Sequence, residues 1–203
     1  MNNHVKKLLP IGISDFKEII DENCLYVDKT LFIQEVVEQS ARVALILRPR
    51  RFGKTLNLSM LRYFFEKVDE DRSYLFKDLN IWKNEKYRML QGKFPVIFLT
   101  LKSIKFSSWN ETYDAFRRII SEEFERHRYI LENDTLTKQE KETYHEIIYR
   151  KDDTTLIGHS LFLLTKWLHR YYKQKVIVLL DEYGTQAHAA YVGKYYDTFI
   201  DFI

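Results

Sequence analysis

Three consecutive residues, Gly53, Lys54 and Thr55, match the second half of the phosphate-binding pattern G-x-x-x-x-G-K-[ST]. In that pattern, backbone N–H groups at a helix N-terminus bind phosphate oxygens, the lysine reaches the β- and γ-phosphates, and the hydroxyl binds Mg²⁺. The position of the first glycine is occupied by Arg48. Because such a tripeptide can arise by chance, its meaning depends on the segments around it. A charged turn before a helix is the alternative interpretation.

The segments that flank Gly53 have the patterns that a phosphate-binding loop needs. Residues 43–47 form a continuous apolar run, which predicts a strand buried on both faces. After Gly53, apolar residues recur at spacings of three and four, which predicts a helix that runs to about Val68. The basic loop between them contains Arg50 and Arg51, which either contact phosphate directly or form a solvated basic surface.

A second pair of candidate residues is Asp181 and Glu182. They directly follow residues 175–180, in which an apolar run at 176–180 predicts another buried strand. Carboxylates at the C-terminal ends of parallel strands lie at the edge where α/β sheets bind ligands. There we expect Asp181 to hold Mg²⁺ through its water shell and Glu182 to orient or deprotonate an attacking water. An ordinary strand followed by an acidic turn is the alternative.

The remaining elements alternate between strand and helix patterns. Residues 95–101 predict a strand with Pro95 at its start, where the missing N–H does least harm. Ser14 and Asp28 are expected to cap the first two helices. Further helices are predicted at residues 108–132, 137–150, 154–172 and 195–203. Strands that alternate with long helices predict an α/β fold with a mainly parallel sheet flanked by helices.

Composition excludes several classes of protein. The net charge of +3 over 203 residues is far below that of a dedicated nucleic-acid binder. The single cysteine, Cys24, excludes an internal disulfide and is expected to be a small buried hydrophobe in a reducing cytosol. No segment approaches the roughly 18 apolar residues of a membrane span, so we expect a cytoplasmic protein that does not bind membranes.

Several other polar and aromatic residues have ordinary structural interpretations. The histidines show no metal-binding spacing, and His188 is expected in a polar loop. The side chains expected to pack against the sheet are Trp167, Leu168, Tyr171 and Tyr172. Charges of alternating sign predict a solvated helix face at Glu122, Glu123, Glu125, Arg126 and Arg128.

The chain resembles the AAA-ATPase-like family of predicted bacterial and archaeal P-loop ATPases. The residues that carry the resemblance are 9–12, Asp15 with Phe16, 26–30, 48–56 and 180–183. An Arg-Pro opening of the loop is usual in that family, so Arg48 fits the pattern. The resemblance implies the additional-strand, AAA-like branch of P-loop NTPases. It also implies that Lys54 and Thr55 are Walker A residues, and that Asp181 and Glu182 are Walker B residues.

The sequence departs from the family pattern at two points. Gly184, Thr185 and Gln186 stand where the family usually has Asp-Thr-Pro, so one carboxylate near the expected magnesium is absent and hydrolysis is expected to be weakened. Family members also continue with a sensor strand that lies in the centre of the sheet, a helical region and often a C-terminal nuclease-like domain of the PD-(D/E)XK type.

These departures lead to expectations about domain organisation and partners. We expect residues 1–203 to be one AAA-ATPase-like domain, truncated after the Walker B region and incomplete at its C-terminus. Such a chain is expected to be marginally stable or completed by another polypeptide. A homo-oligomer is the alternative expectation. Nucleic acid is expected as a partner only through a C-terminal domain that this chain lacks.

The sequence therefore predicts a module that binds ATP and Mg²⁺ and hydrolyses ATP. Lys54 and Glu182 are the expected catalytic residues, and Thr55 and Asp181 the expected magnesium ligands. A nucleotide-binding switch or scaffold without turnover is the first alternative, favoured by Gly184. A small-molecule P-loop kinase is the second, although such enzymes do not need a glutamate directly after the Walker B aspartate. The expected nucleotide contacts are Arg50, Arg51, Phe52, Gly53, Lys54, Thr55 and Leu56.

Overall fold

Residues 7–39, 43–46, 52–104 and 106–202 are described by a computed structural model and fall into two units. The first unit spans Met1–Phe94 and the second spans Pro95–Ile203. The fold mixes helices with a small parallel sheet, as the sequence predicted. None of the described helices combines the length and apolar character that a bilayer crossing requires.

The first unit is mainly helical in its described part. Its helices are α1 (Phe16–Asp21), α2 (Leu31–Glu38), α3 (Lys54–Phe65) and α4 (Glu85–Arg88), with 3₁₀ turns at Ser73–Leu75 and Asn80–Lys83. Aromatic side chains pack these elements together, because the rings of Phe16 and Phe64 each lie 5.1 Å from that of Phe76. Cys24 is buried with a free thiol, as predicted.

Both predicted N-caps in this unit are wrong. Asp15, not Ser14, caps α1, because its carboxylate accepts a hydrogen bond from the Glu18 N–H. Thr30, not Asp28, precedes α2. The Asp28 carboxylate instead accepts hydrogen bonds from the N–H and hydroxyl of Thr30 and from the Asn80 N–H. Asp28 therefore links the start of α2 to the 3₁₀ turn at Asn80–Lys83.

The predicted strand before the phosphate loop is wrong over the described residues 43–46. These residues have no strand structure, and Val43 and Leu45 are 87% and 58% exposed. An apolar run forms a buried strand only where neighbouring strands bind its backbone N–H and C=O groups. The described sheet consists of two strands from the second unit, and residues 43–46 are not part of it. Leu47, Arg48, Pro49, Arg50 and Arg51 lie outside the described residues.

Helix α3 begins at Lys54, as predicted, but ends at Phe65 rather than near Val68. Its end is set by Glu66, which adopts an extended conformation and forms a parallel bridge with Phe94. The Lys67 N–H then donates a hydrogen bond to the Phe94 carbonyl. The backbone groups after Phe65 therefore bind a neighbouring segment instead of continuing the helix.

The second unit contains the sheet. Its elements are β1 (Val96–Thr100), α5 (Trp109–Arg126), a 3₁₀ turn (Arg128–Leu131), α6 (Lys138–Ile148), α7 (Thr154–Tyr172), β2 (Ile177–Asp181), α8 (Tyr183–Val192) and α9 (Tyr196–Phe202). The predicted helices and strands of this unit are all present, with small shifts at their ends. Helix α8 was not predicted, and His188 lies in it rather than in a polar loop.

The two strands pair in parallel, with Val96 opposite Ile177 and Thr100 opposite Asp181. Burial of β2 on both faces was predicted and is wrong, because Val178 and Leu180 are exposed while Leu179 and Asp181 are buried. The parallel pairing requires the long helical connection from β1 to β2, and helices α5, α6 and α7 supply it. The core formed by this connection includes Trp167, Leu168, Tyr171 and Tyr172 packed with residues of β1, as predicted.

Side chains from the C-terminal end of α5 bind the edge of β1 that faces away from β2. The Phe98 N–H donates a hydrogen bond of 2.9 Å to the Glu123 carboxylate. The Val96 carbonyl accepts one of 2.6 Å from Arg126 and lies 3.2 Å from Nε2 of His127. Glu123 is only 5% exposed, so the solvated face predicted for this helix is wrong at that residue. These side chains supply the partners that a third strand would otherwise supply.

Glu123 is ionised in this setting. Burial alone would raise the pKa of its carboxyl group, but hydrogen bonds from His127 and Arg126 hold that pKa below its ordinary value. The carboxylate therefore accepts strong, charge-assisted hydrogen bonds at neutral pH.

We predict that Glu123→Ala destabilises the chain far more than Glu122→Ala. The first substitution removes the carboxylate that accepts the Phe98 N–H in a partly buried setting, which should lower the free energy of unfolding by roughly 2 kcal/mol. Glu122 is the adjacent exposed residue, and its removal should cost less than about 0.5 kcal/mol. Urea unfolding followed by circular dichroism measures both values. Equal effects would show that the β1 edge does not depend on Glu123.

Candidate functional site

The turn that precedes α3 has the backbone conformation of a glycine-dependent loop. Gly53 has φ of 74° and ψ of 27°, a left-handed conformation that other residues rarely adopt. Among the residues that the structure describes, none has a heavy atom within 4 Å of a Cβ built at Gly53, so the backbone conformation is what favours glycine here. The Asn57 N–H donates a 2.9 Å hydrogen bond to the Gly53 carbonyl, which starts the helix. The Gly-Lys-Thr sequence therefore lies at a loop-to-helix junction, as the phosphate-binding pattern requires.

Lys54 and Thr55 are the first two residues of α3, a helix of 12 residues. Helix N-termini attract anions, because the first N–H groups have no acceptor within the helix and the helix dipole is positive there. Lys54, Thr55 and Leu56 are half-buried, and Phe52 beside them is exposed. This junction combines an ammonium group, a hydroxyl and a helix N-terminus, which together suit a phosphate group. Arg50 and Arg51 lie outside the described residues.

The second unit carries the two candidate carboxylates at the end of β2. Asp181 is the last residue of that strand, as predicted, and is 2% exposed. Its carbonyl accepts a hydrogen bond from the Leu101 N–H. A buried carboxylate at a strand end is costly unless it has partners, so Asp181 must be bound by neighbouring groups or by a ligand.

Glu182 occupies the single position between β2 and α8 with φ of 61°. The left-handed conformation costs a residue with a side chain roughly 1 kcal/mol, and such strain concentrates at functional sites. No sequence pattern predicts this conformation at Glu182, because only glycine or asparagine indicates it reliably. Gly184 lies in the first turn of α8.

The described residues contain no group of three or more His, Cys, Asp or Glu side chains that could hold a metal ion. Mg²⁺ does not need three protein side chains when a nucleotide supplies phosphate oxygens, because one or two protein ligands and water then complete its coordination. Thr55 in the first unit and Asp181 in the second are oxygen donors of the right type.

Comparisons with known proteins agree with these features. A family model described as "Predicted AAA-ATPase" matches residues 10–203. An uncharacterized protein in the vnfD 5′ region of Azotobacter chroococcum mcd 1 is 46% identical to this chain over 61 residues. That match covers 30% of this chain and 12% of the length of the Azotobacter protein. No solved structure matches the chain.

The family model covers the phosphate-loop motif, the end of β2 and nearly all of the sequence between and around them. The chain therefore belongs to the family of predicted AAA-ATPases.

Proposed function

We propose that this chain binds ATP together with Mg²⁺ and hydrolyses it, as a P-loop NTPase of the additional-strand, AAA-like branch. One observation carries the proposal: a left-handed glycine is followed directly by Lys54 and Thr55 at the N-terminus of α3. Membership in a family of predicted ATPases supports the same conclusion, because ATP is the nucleotide that the family description implies.

In this proposal the first unit binds the phosphates. The N–H groups in the first turn of α3 donate to phosphate oxygens, and the Lys54 ammonium group neutralises charge on the β- and γ-phosphates. Phe52 and Leu56 are assigned to nucleotide contact by their place in the same motif. Arg50 and Arg51 are assigned to phosphate contact by their place in the same motif.

The second unit supplies the carboxylates that hydrolysis needs. We assign the Asp181 carboxylate to Mg²⁺ and the Glu182 carboxylate to accepting a proton from the attacking water. In the first unit, the Thr55 hydroxyl is assigned to Mg²⁺ by its place in the Gly-Lys-Thr motif. Bound Mg²⁺ would polarise the phosphoryl oxygens and offset their charge. With Gly184 in place of a further carboxylate, we expect turnover to be slow compared with binding.

We predict that Lys54→Ala weakens ATP binding at least about tenfold, which corresponds to roughly 1.4 kcal/mol. The reason is that the variant removes the positive charge nearest the terminal phosphates. Lys77→Ala, which removes an exposed lysine from the same unit, should bind ATP as tightly as the unaltered chain. Isothermal titration calorimetry with ATP and Mg²⁺ measures these affinities. Unchanged affinity in Lys54→Ala would contradict a phosphate site at this loop.

A separate prediction concerns hydrolysis. Glu182→Gln should retain ATP affinity but release phosphate about a hundredfold more slowly, because the amide cannot accept the proton of water. Glu132→Gln, at an exposed site in the same unit, is the matched control and should be unaffected. The measurement is phosphate release under saturating ATP and Mg²⁺.

The same assay separates the competing functions. Equal background release from all these proteins, together with binding that depends on Lys54, would indicate a nucleotide-dependent switch without turnover. Formation of ADP without free phosphate, seen only when an acceptor molecule is added, would indicate a kinase.

A further inference from the structure

The residue before α1 is hydrogen-bonded to two residues of α3. Asp15 uses one carboxylate oxygen to cap α1, accepting the Glu18 N–H at 3.1 Å. Its other oxygen accepts hydrogen bonds from the Ser59 hydroxyl at 2.9 Å and from the Tyr63 hydroxyl at 3.2 Å. The Ser59 hydroxyl oxygen in turn accepts the Phe16 N–H at 3.0 Å. One carboxylate therefore joins the start of α1 to two successive turns of α3.

This connection is held in a partly buried setting. Ser59 is buried, and its bond to the Phe16 N–H is shielded from water. Burial and the neighbouring Asp15 carboxylate raise the pKa of Tyr63, so its hydroxyl keeps the proton that it donates. Beside these bonds, the Phe16 ring stacks on Phe76, which also contacts Phe64 of α3. Apolar packing holds α3 against this core, and the polar bonds to Asp15 specify its rotation about its own axis.

The rotation of α3 matters because of the spacing of three of its residues. Thr55, Ser59 and Tyr63 follow one another at intervals of four. Each interval turns about 40° beyond a full helical rotation, so the three side chains share one face. The carboxylate that binds Ser59 and Tyr63 therefore also determines the direction in which Thr55 leaves the first turn of the helix.

We propose that Asp15 is a positioning residue for the nucleotide site, which holds α3 in the rotation that directs the Thr55 hydroxyl to the magnesium-bound phosphates. This inference rests on the proposed function. It assigns Asp15 a role at a distance from the phosphate loop, exerted through Ser59 and Tyr63 and not by contact with nucleotide.

Asp15→Ser separates this role from helix capping. Serine is a good N-cap and can still accept the Glu18 N–H, but it is too short to reach α3. We expect Asp15→Ser to weaken ATP binding about tenfold with Mg²⁺ and less than about twofold in EDTA, because the Thr55 hydroxyl acts through the metal. Asp15→Asn has the same reach: with its oxygen on the Glu18 N–H, its amide N–H groups can donate to the Ser59 and Tyr63 hydroxyl oxygens, so it should restore most of the affinity. Titration calorimetry with and without Mg²⁺ gives each value.

Two outcomes would overturn the inference. One is wild-type Mg²⁺–ATP affinity in Asp15→Ser, and the other is an equal loss with and without Mg²⁺, which would indicate a merely structural role. If Asp15→Ser does not fold, Tyr63→Phe applies the same test by removing one hydroxyl group, and we expect a smaller loss with the same dependence on Mg²⁺. Lys54→Ala is measured alongside, because unaltered binding in that variant would refute the nucleotide site itself.

Discussion

The hydrogen-bonding requirement of a parallel strand pair determines much of the second unit. Strands β1 and β2 bind each other's backbone N–H and C=O groups along one edge of each strand. Their parallel direction requires a long connection, which α5, α6 and α7 provide. The same requirement explains the buried Glu123, which accepts the Phe98 N–H on the far edge of β1. Strand pairing also positions Asp181, which is the last paired residue of β2 and lies just before α8.

Both candidate groups of functional residues lie directly at backbone positions with positive φ. Gly53 has this conformation before Lys54 and Thr55, and Glu182 has it after Asp181. The glycine adopts it at no steric cost, whereas the glutamate must be held in it by the elements on either side. In the first unit the positive-φ residue directly precedes α3, and in the second it directly follows β2. In both cases the candidate polar side chains lie at the end of a helix or strand. The fold therefore places both candidate groups directly beside a regular element.

Periodicity in the sequence identified most elements because their apolar faces are continuous. Helix α7 was predicted to run from Thr154 to Tyr172 and does so, and β1 and β2 were both found. Caps were harder to predict, because Ser14 and Asp15 are both suitable residues and only tertiary contacts with α3 select Asp15. The apolar run at residues 43–46 was misleading, since composition cannot show whether a strand finds neighbours to bind its backbone. Glu123 was missed for a related reason: helical spacing does not show which face meets a strand edge.

The central claim is that the start of α3 binds the phosphates of ATP, and hydrogen–deuterium exchange tests it most directly. Addition of ATP and Mg²⁺ should slow amide exchange in a peptide that covers residues 53–58, while exchange in a peptide from α6 should not change. The protection should be absent in Lys54→Ala. Equal exchange at residues 53–58 with and without saturating nucleotide would contradict the account.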